Sequence, residues 1–290
     1  MNPGIASNLW LLPAVPFAAS LVILSLQKSR HKMAAVLAVG GQIALLAISI
    51  VAFLPTLKTH DFRAIQNFTW FTFGDQALRL GFVLDPLAAA MLVMISSVSL
   101  CIFVFSVGYM ADDKNFTRFF AYLSFFSGAM LGVVISNSLL LLFMFWELVG
   151  LASYLLIGFW IERASAAAAA KKAFITTRIG DMGFFLGMLW LYNRSGTLLL
   201  YAGGRGCLQS AGLAMLGASP AVAGFIALLI FCGALGKSGK SPLQPRLPAA
   251  TRVPPPVPAL SPDAHLAPSA LCPGAPPFPP HCLRVARGAP

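Results

Sequence analysis

The chain has 290 residues, of which 58% are hydrophobic and only 10% are charged. Soluble domains carry about a quarter charged residues, so this composition excludes a water-soluble globule and indicates a membrane protein. The formal net charge is +11, but the basic residues lie at the ends of apolar segments or beyond residue 236. That distribution favours membrane topology signals over a nucleic-acid-binding surface.

Five cysteines are widely spaced and odd in number, and they form no C-x-x-C motif and no Cys/His cluster. This pattern argues against a disulfide framework and against zinc, haem or iron–sulfur ligation. We therefore expect no bound metal or cofactor. Nucleic acids and nucleotides are likewise not expected among the partners, whereas the lipid bilayer is.

Apolar segments predict an all-α, polytopic membrane protein with about seven spanning helices, since about 20 apolar residues suffice to cross a bilayer. The first three segments cover 1–27, 33–57 and 86–107, and a polar, aromatic-rich loop is predicted from 58 to 84. The third helix is expected to begin with Asp85 as N-cap and Pro86 at the first helical position, where the missing N–H is harmless.

Four more helices are predicted in the second part of the bundle. From 119 to 161 the only charge is Glu147, and a single helix of that length would be about twice too long for a bilayer. We therefore predict two helices with a turn at 136–138. The sixth helix follows the alanine run at 166–170 and continues to about residue 192, and the seventh covers 206–236 and ends at Lys237.

Beyond residue 241 the composition changes, because 15 of the 21 prolines lie between Pro242 and Pro290, with Asp263 as the single acidic residue. Proline at this density prevents helices and central strands, so a disordered or polyproline-like tail is predicted. The chain is thus divided into a transmembrane bundle at 1–241 and a tail at 242–290.

Loop charges predict the orientation of the bundle. The loops after the first, third and fifth helices contain eight Lys or Arg residues in short connections, whereas the opposite loops contain five in longer ones. The positive-inside rule then places the N-terminus outside the cytoplasm.

Glu147 is a charge that a spanning helix should not carry without a reason. A carboxylate near the middle of such a helix costs about 2.5 to 3.5 kcal/mol on insertion scales, so it is retained where it faces protein or water. Gly150 and Gly158 lie on the same helical face and permit close approach of another helix. Two interpretations stay open: an ion-conducting carboxylate, or a protonated one that serves packing alone.

Other charges lie on or beside the predicted helices. Arg178 and Asp181 are spaced i, i+3, and with Lys171 they either form a buried chain or anchor a ragged helix start at the membrane surface. Lys237 either snorkels from a helix end or lies at a broken helix, as in transporter ion sites. Residues 234–241 fit a relaxed Walker A pattern, but an apolar segment precedes them and prolines follow, so no phosphate-binding loop is expected.

Several sequence blocks resemble a known family. They are LDPL at 84–87, VGYM at 107–110, RFFAYL at 118–123, FWELVGLASYLLIGFW at 145–160 and KKAFITTRIGD at 171–181. These blocks are similar to subunit L of bacterial NADH–quinone oxidoreductase, an antiporter-like subunit of the respiratory complex I membrane arm whose mitochondrial counterpart is subunit 5. The resemblance extends to about residue 241, and the large subunit of multisubunit sodium/proton antiporters is the runner-up.

The resemblance implies a proton path. Glu147 matches the family's glutamate on the fifth helix and Lys237 matches the lysine on a broken seventh helix, and in the family these two interact. Arg178 and Asp181 match charged positions near that pair, and Lys171 is expected to support them. The implied function is proton translocation, as a subunit of an enzyme complex whose other membrane-arm subunits are its partners. No redox centre is expected in this chain.

The alternatives are a subunit of a monovalent cation/proton antiporter and a truncated fragment without activity. The fragment alternative is based on the sequence of the tail. After residue 241 the family continues with Pro-Leu-x-x-Trp-Leu-Pro-Asp-Ala, whereas this chain reads PLQPRLPAA at 242–250 and then becomes rich in Pro, Ala and Arg.

Such a composition is typical of an out-of-frame reading of a GC-rich gene, so we predict a frameshift or gene-model truncation near Gln244. Reading the nucleotide sequence around codon 244 in the other frames tests this. A Trp-Leu-Pro-Asp-Ala continuation is expected in one of them, and its absence from both would contradict the prediction.

Overall fold

The computed structural model describes residues 8–27, 30–58, 62–74, 76–204, 206–207, 209 and 220–238. Within these ranges the chain forms seven helices: α1 Leu11–Ser25, α2 His31–Lys58, α3 Pro86–Tyr109, α4 Phe116–Ile135, α5 Leu139–Ile157, α6 Ala164–Ser195 and α7 Pro220–Ser238. By length and composition, α2 to α5 can cross a membrane, and α1 and α7 contain shorter apolar stretches. A mostly helical membrane architecture is thus observed, whereas a count of seven spanning helices stays a prediction. The predicted tail lies outside the described residues.

Helix α4 is the centre of the first five helices. Of its most apolar stretch, 78% is buried inside the protein, against 28% for α2. It packs against α1 on one side and α5 on the other. Ser20 of α1 donates a hydrogen bond to the carbonyl of Ala121 at 2.7 Å, which satisfies a polar group where no water reaches.

The outer faces of α2 and α3 are apolar and exposed, as the hydrocarbon layer of a membrane requires. Among the large hydrophobic side chains on these faces are Val36, Ile43, Leu54, Val104 and Phe105. These faces contrast with α4, whose neighbours within the chain already cover it.

Two local predictions are confirmed. Asp85 caps α3, because its Oδ1 accepts a hydrogen bond of 2.7 Å from the Ala88 N–H, and Pro86 occupies the first helical position. The predicted turn at 136–138 separates α4 from α5. Both signals are short-range, so they depend little on what the rest of the chain does.

The prediction of a loop from 58 to 84 was wrong, and so was the prediction of an all-α fold. A hairpin of β1 Ala64–Phe73 and β2 Gln76–Leu84 occupies most of that segment, with Ala64 opposite Leu84 and Phe73 opposite Gln76. Strand β1 is rich in aromatic and β-branched residues, which favour strands, and its pairing has an irregularity between Thr69 and Phe71. Gly74 lies in the turn at φ 55°, a conformation that glycine adopts without strain.

The limits of the predicted helices also need correction. The seventh was expected from residue 206, but Gly206 and Cys207 belong to a turn in which the Cys207 N–H donates to the Leu199 carbonyl at 2.8 Å. Gly203 and Gly204 adopt positive φ values, which a right-handed helix does not use. The described helix α7 covers Pro220–Ser238, and residues 208 and 210–219 of the predicted helix lie outside the described residues.

Asn137 joins three segments at one end of the bundle, which we call the hairpin end: the hairpin, the turn at 136–138 and residues 198–207. Its side-chain amide donates to Asn67 Oδ1 at 2.7 Å and to the Tyr201 carbonyl at 2.9 Å, and its Oδ1 accepts from the Tyr201 N–H at 3.1 Å. Its backbone N–H donates to the Gly81 carbonyl at 2.8 Å. The side chain is fully buried. Burial at this end of the bundle also raises the pKa of the Cys207 thiol to about 11.

Asn137→Ala is expected to lower the free energy of unfolding by about 2 to 4 kcal/mol, because it leaves buried partners on two segments unsatisfied. Asn193→Ala is the matched control, since Asn193 is exposed near the end of α6. Thermal unfolding in detergent micelles measures the difference. Equal melting temperatures for the two variants would show that Asn137 does not join these segments.

Candidate functional site

A stripe of glycines brings α6 and α7 into close contact. A Cβ atom at Gly180 would lie 2.9 Å from the carbonyl oxygen of Cys232 and from the Cα of Gly236. Cβ atoms at Gly183 and Gly187 would also lie 2.9 Å from atoms of α7. Larger residues would therefore push the helices apart, which is the packing device of small residues in membrane helices. The backbone of α7 is thus held against α6 along the stretch that ends at Lys237.

Glu147 of α5 forms an ion pair with Arg178 of α6. Glu147 is eight residues into a 19-residue helix, about 12 Å from its start at 1.5 Å per residue, so it lies near mid-span. The guanidinium of Arg178 also lies 4.6 Å from the centroid of the Phe174 ring, one turn earlier on α6. The mid-span carboxylate is therefore paired with a cation that stays charged at any physiological pH.

Lys237 of α7 is buried at 2% exposure beside Trp146, the residue that precedes Glu147. Its Nζ donates a hydrogen bond to the backbone carbonyl of Trp146 and lies 4.5 Å from the centroid of the indole ring. Asp181 of α6 is equally buried, and its Oδ1 accepts a hydrogen bond of 2.7 Å from the Trp146 indole N–H. One tryptophan thus contacts both an acid and a base from two other helices.

Four of the five predicted site residues come together around one turn of α5. They are Glu147, Arg178, Asp181 and Lys237, contributed by three helices. The burial of Asp181 favours the buried arrangement over an anchor at the membrane surface. The sequence analysis did not single out Trp146. Its position directly before the mid-span glutamate was an available signal, because a buried indole N–H needs a hydrogen-bond acceptor.

Lys171 is placed elsewhere, contrary to the expectation that it supports the buried charges. It is exposed and lines an open groove of about 480 Å³ between the loops that follow α3 and α5. We call this region the groove end. The other charged or polar residues of the groove include Asp112, Asp113, Arg118, Tyr154 and Glu162. Lys171 is seven residues from Arg178, about two helical turns or 10.5 Å along α6.

Metal and nucleotide sites find no positive support in the part of the chain that is described. Within it, no group of three or more His, Cys, Asp or Glu side chains has a metal-binding arrangement. Ala234 to Ser238 of the relaxed Walker A pattern belong to the end of α7, and 239–241 lie outside the described residues. The absence of cofactors stays a prediction.

The ion pair makes a prediction about stability. Arg178→Gln should destabilise the protein because it leaves a mid-span carboxylate without its partner, and Glu147→Gln should remove most of that loss in the double variant. We expect a coupling energy of about 1 to 2 kcal/mol, below that of fully buried pairs because the Arg178 side chain is 36% exposed. Chemical unfolding of the four proteins measures it, with the exposed Lys171→Gln as control. Additive effects would contradict the pairing.

Two family models match the chain. One, described as NADH:quinone oxidoreductase/Mrp antiporter, TM, covers residues 136–269, which include Glu147, Arg178, Asp181 and Lys237. The other, described as NADH-Ubiquinone oxidoreductase (complex I), chain 5 N-terminus, covers residues 70–120. The first match continues past residue 241, the position to which the resemblance was expected to extend.

Curated relatives of the chain carry the subunit 5 name. The NAD(P)H-quinone oxidoreductase chain 5 of Synechocystis sp. is 40% identical over 259 residues, which cover 87% of this chain and 37% of the relative. The chloroplastic subunit 5 of Anthoceros angustus is 37% identical over 260 residues, covering 87% and 35%. The chain thus spans a little over a third of the length of these relatives.

Solved structures show the same fold. A chain of the membrane-bound sulfane sulfur reductase, an archaeal respiratory membrane complex, matches with a TM-score of 0.73 at 18% identity, over 92% of this chain and 52% of that one. A chain of the Mrp complex from Dietzia sp. matches with a TM-score of 0.72 at 22% identity, over 91% and 27%. The chain is therefore similar to the antiporter-like membrane subunits of complex I-type quinone oxidoreductases, and its curated relatives are subunit 5 proteins.

Proposed function

We propose that the chain corresponds to the N-terminal part of a proton-translocating subunit of an NAD(P)H–quinone oxidoreductase. The observation that carries the proposal is the cluster at mid-span, in which Glu147 and Asp181 lie near Arg178 and Lys237 on three adjoining helices. Charges at such depth are retained where they serve ion or proton movement. The names of the relatives supply the class of complex.

The two cations differ in the chemistry available to them. Arg178 cannot release its proton, so it acts as a fixed partner that keeps the Glu147 carboxylate charged. Lys237 is a lysine in a buried site, and lysine exchanges its proton readily when its surroundings change. Lys237 is therefore the proton carrier of the cluster, and Arg178 is its competitor for the carboxylate.

The geometry suggests how the carboxylate controls the lysine. In the observed arrangement Glu147 forms an ion pair with Arg178. Lys237 donates a hydrogen bond to the carbonyl of Trp146, the residue before Glu147. A carboxylate that moves toward an ammonium group stabilises the charged form, and its return to arginine removes that stabilisation. Exchange of Glu147 between Arg178 and Lys237 thus couples a small displacement to proton uptake and release.

The partners are other membrane-arm subunits that carry out quinone reduction, and no redox centre is assigned to this chain. The location is a bacterial inner membrane, with the N-terminus and the hairpin end on the periplasmic side. The basic side chains at the groove end, Lys114, Arg118, Arg163 and Lys171, support this orientation because positive loops stay in the cytoplasm.

A second candidate is a subunit of a monovalent cation/proton antiporter. The similarity in fold to a chain of the Mrp complex and the family description that names both classes favour it. The two functions are separated by transport measurements, since an antiporter subunit supports sodium-dependent proton transport without quinone reduction.

Glu147→Gln is expected to reduce proton pumping about tenfold or more in the membrane complex that contains this chain, because the amide cannot carry the charge that exchanges partners. Electron transfer by the complex is recorded in parallel, and acidification of inverted vesicles by a pH-sensitive dye measures pumping. Glu162→Gln at the groove end is the matched control, since Glu162 is exposed there.

Unchanged pumping in Glu147→Gln would count against the role of this carboxylate. Blue-native electrophoresis with mass spectrometry is performed first on the same membranes. If the chain is absent from every assembled complex, the truncated, non-assembling fragment is the correct alternative.

A further inference from the structure

We propose that Trp146 is a positioning residue that holds Lys237 beside Glu147 while the carboxylate is engaged by Arg178. This inference rests on the proposed function, because it concerns the same proton carrier. Trp146 presents three groups to its neighbours: the indole N–H, the face of the ring and the backbone carbonyl. The structure gives each of them a charged partner from another helix.

The ring and the carbonyl bind the lysine. Lys237 Nζ donates to the Trp146 carbonyl and lies 4.5 Å from the ring centroid, within the range in which an ammonium group is attracted to an aromatic face. Both interactions are more favourable for the charged lysine than for the neutral one. Because Trp146 and Glu147 are consecutive on α5, this contact places Lys237 at the same level of the helix as Glu147.

The hydrogen bond of the indole N–H fixes the orientation of the Trp146 ring that contacts Lys237. It donates to Asp181 Oδ1 at 2.7 Å, a charge-assisted bond in a site that is 2% exposed. The ring also packs edge-on against Phe184 of α6, with centroids 6.1 Å apart. The orientation of Trp146 is thus determined by α6, the helix against which α7 is packed.

Gly150 lies against the Lys237 side chain. It lies one turn after Trp146 on α5, and a Cβ atom there would lie 3.4 Å from Lys237 Nζ and 4.0 Å from Lys237 Cε. These are ordinary van der Waals separations, so a single methyl group fits there. A branched side chain would place further atoms against the lysine, and glycine therefore leaves Lys237 the most room at this turn of α5.

The charged groups around Lys237 are those of the cluster already described. Helix α5 contributes Glu147, and α6 contributes Arg178 and Asp181. Within its described side chains α7 contributes no other charge than Lys237 itself. Trp146 contacts members of both remaining helices, so it links the acid on α6 to the base on α7.

The contact itself is tested with the full chain in lipid nanodiscs by incorporation of 5-fluorotryptophan and ¹⁹F NMR. The chain has five tryptophans, and the Trp146 signal is the one that Trp146→Phe removes. Lys237→Met, which keeps the length of the side chain, is expected to shift the Trp146 signal and leave the others in place. Asp181→Asn is expected to shift the same signal, and the exposed Lys171→Met is the control. A Trp146 signal that responds to neither Lys237→Met nor Asp181→Asn would overturn the proposal.

The role is tested in the membrane complex by rescue with a conservative residue. Trp146→Phe keeps a ring for the lysine and is expected to retain pumping within about threefold, whereas Trp146→Leu should lose about tenfold at equal complex content. Gly150→Val, which adds a branched side chain against Lys237, should resemble Trp146→Leu. Trp160→Phe is the matched control, because Trp160 also donates its indole N–H to an aspartate, Asp113, but at the groove end.

The two proposals fail in different ways. Equal pumping in Trp146→Leu and Trp146→Phe would overturn the positioning role and leave the proposed function intact. Unchanged pumping in Lys237→Met, together with a shifted Trp146 signal, would contradict the proposed function while the contact between Trp146 and Lys237 stands.

Discussion

A charge held at mid-span in a membrane needs a partner within the protein, because the hydrocarbon layer offers none. This constraint explains the arrangement of α5, α6 and α7. Glu147 on α5 is partnered by Arg178 on α6, and the buried Lys237 on α7 is partnered by Trp146, which Asp181 holds in place. Each helix contributes at least one member of the cluster. The three helices therefore form one electrostatic unit, and removal of any member leaves another without compensation.

The rest of the fold keeps this unit in register. The glycine stripe on α6 brings α7 close enough for the lysine to reach across to α5. At the hairpin end, Asn137 ties the start of α5 to the hairpin and to the segment after α6. The glycine stripe sets the distance between α6 and α7. The hydrogen bonds of Asn137 fix the axial position of α5 relative to the hairpin and the segment after α6. Both are needed because an ion pair at mid-span tolerates little sliding of one helix along another.

Sequence patterns predicted those parts of the structure that short-range chemistry determines. The cap at Asp85 and the turn at 136–138 depend on a few consecutive residues, and the depth of Glu147 follows from the length of its helix. The resemblance to a family added which charges belong together. Trp146 escaped prediction because a tryptophan in an apolar helix has an ordinary explanation as a packing residue, and its contacts involve residues 35 and 91 positions away.

The remaining errors have a common physical origin. The hairpin at 64–84 lies in a polar, aromatic-rich segment that hydropathy alone assigns to a loop. A hydropathy average registers how apolar a segment is, but it registers neither the strand preference of aromatic and β-branched residues nor the positive φ values of Gly203 and Gly204. Lys171 was grouped with Arg178 because both lie on α6, although two helical turns separate the exposed Lys171 from Arg178, which is paired with Glu147.

The central claim is that the Glu147 carboxylate lies between helices at mid-span, paired with Arg178 and one residue from the Trp146 that binds Lys237. A cryo-electron microscopy map of the complex in lipid nanodiscs, at a resolution that shows ordered water and lipid chains, tests this most directly. The account predicts density for Glu147 between the Arg178 and Lys237 side chains, with water rather than acyl chains beside it. A carboxylate that faces lipid acyl chains, or lies at the level of the headgroups, would contradict it.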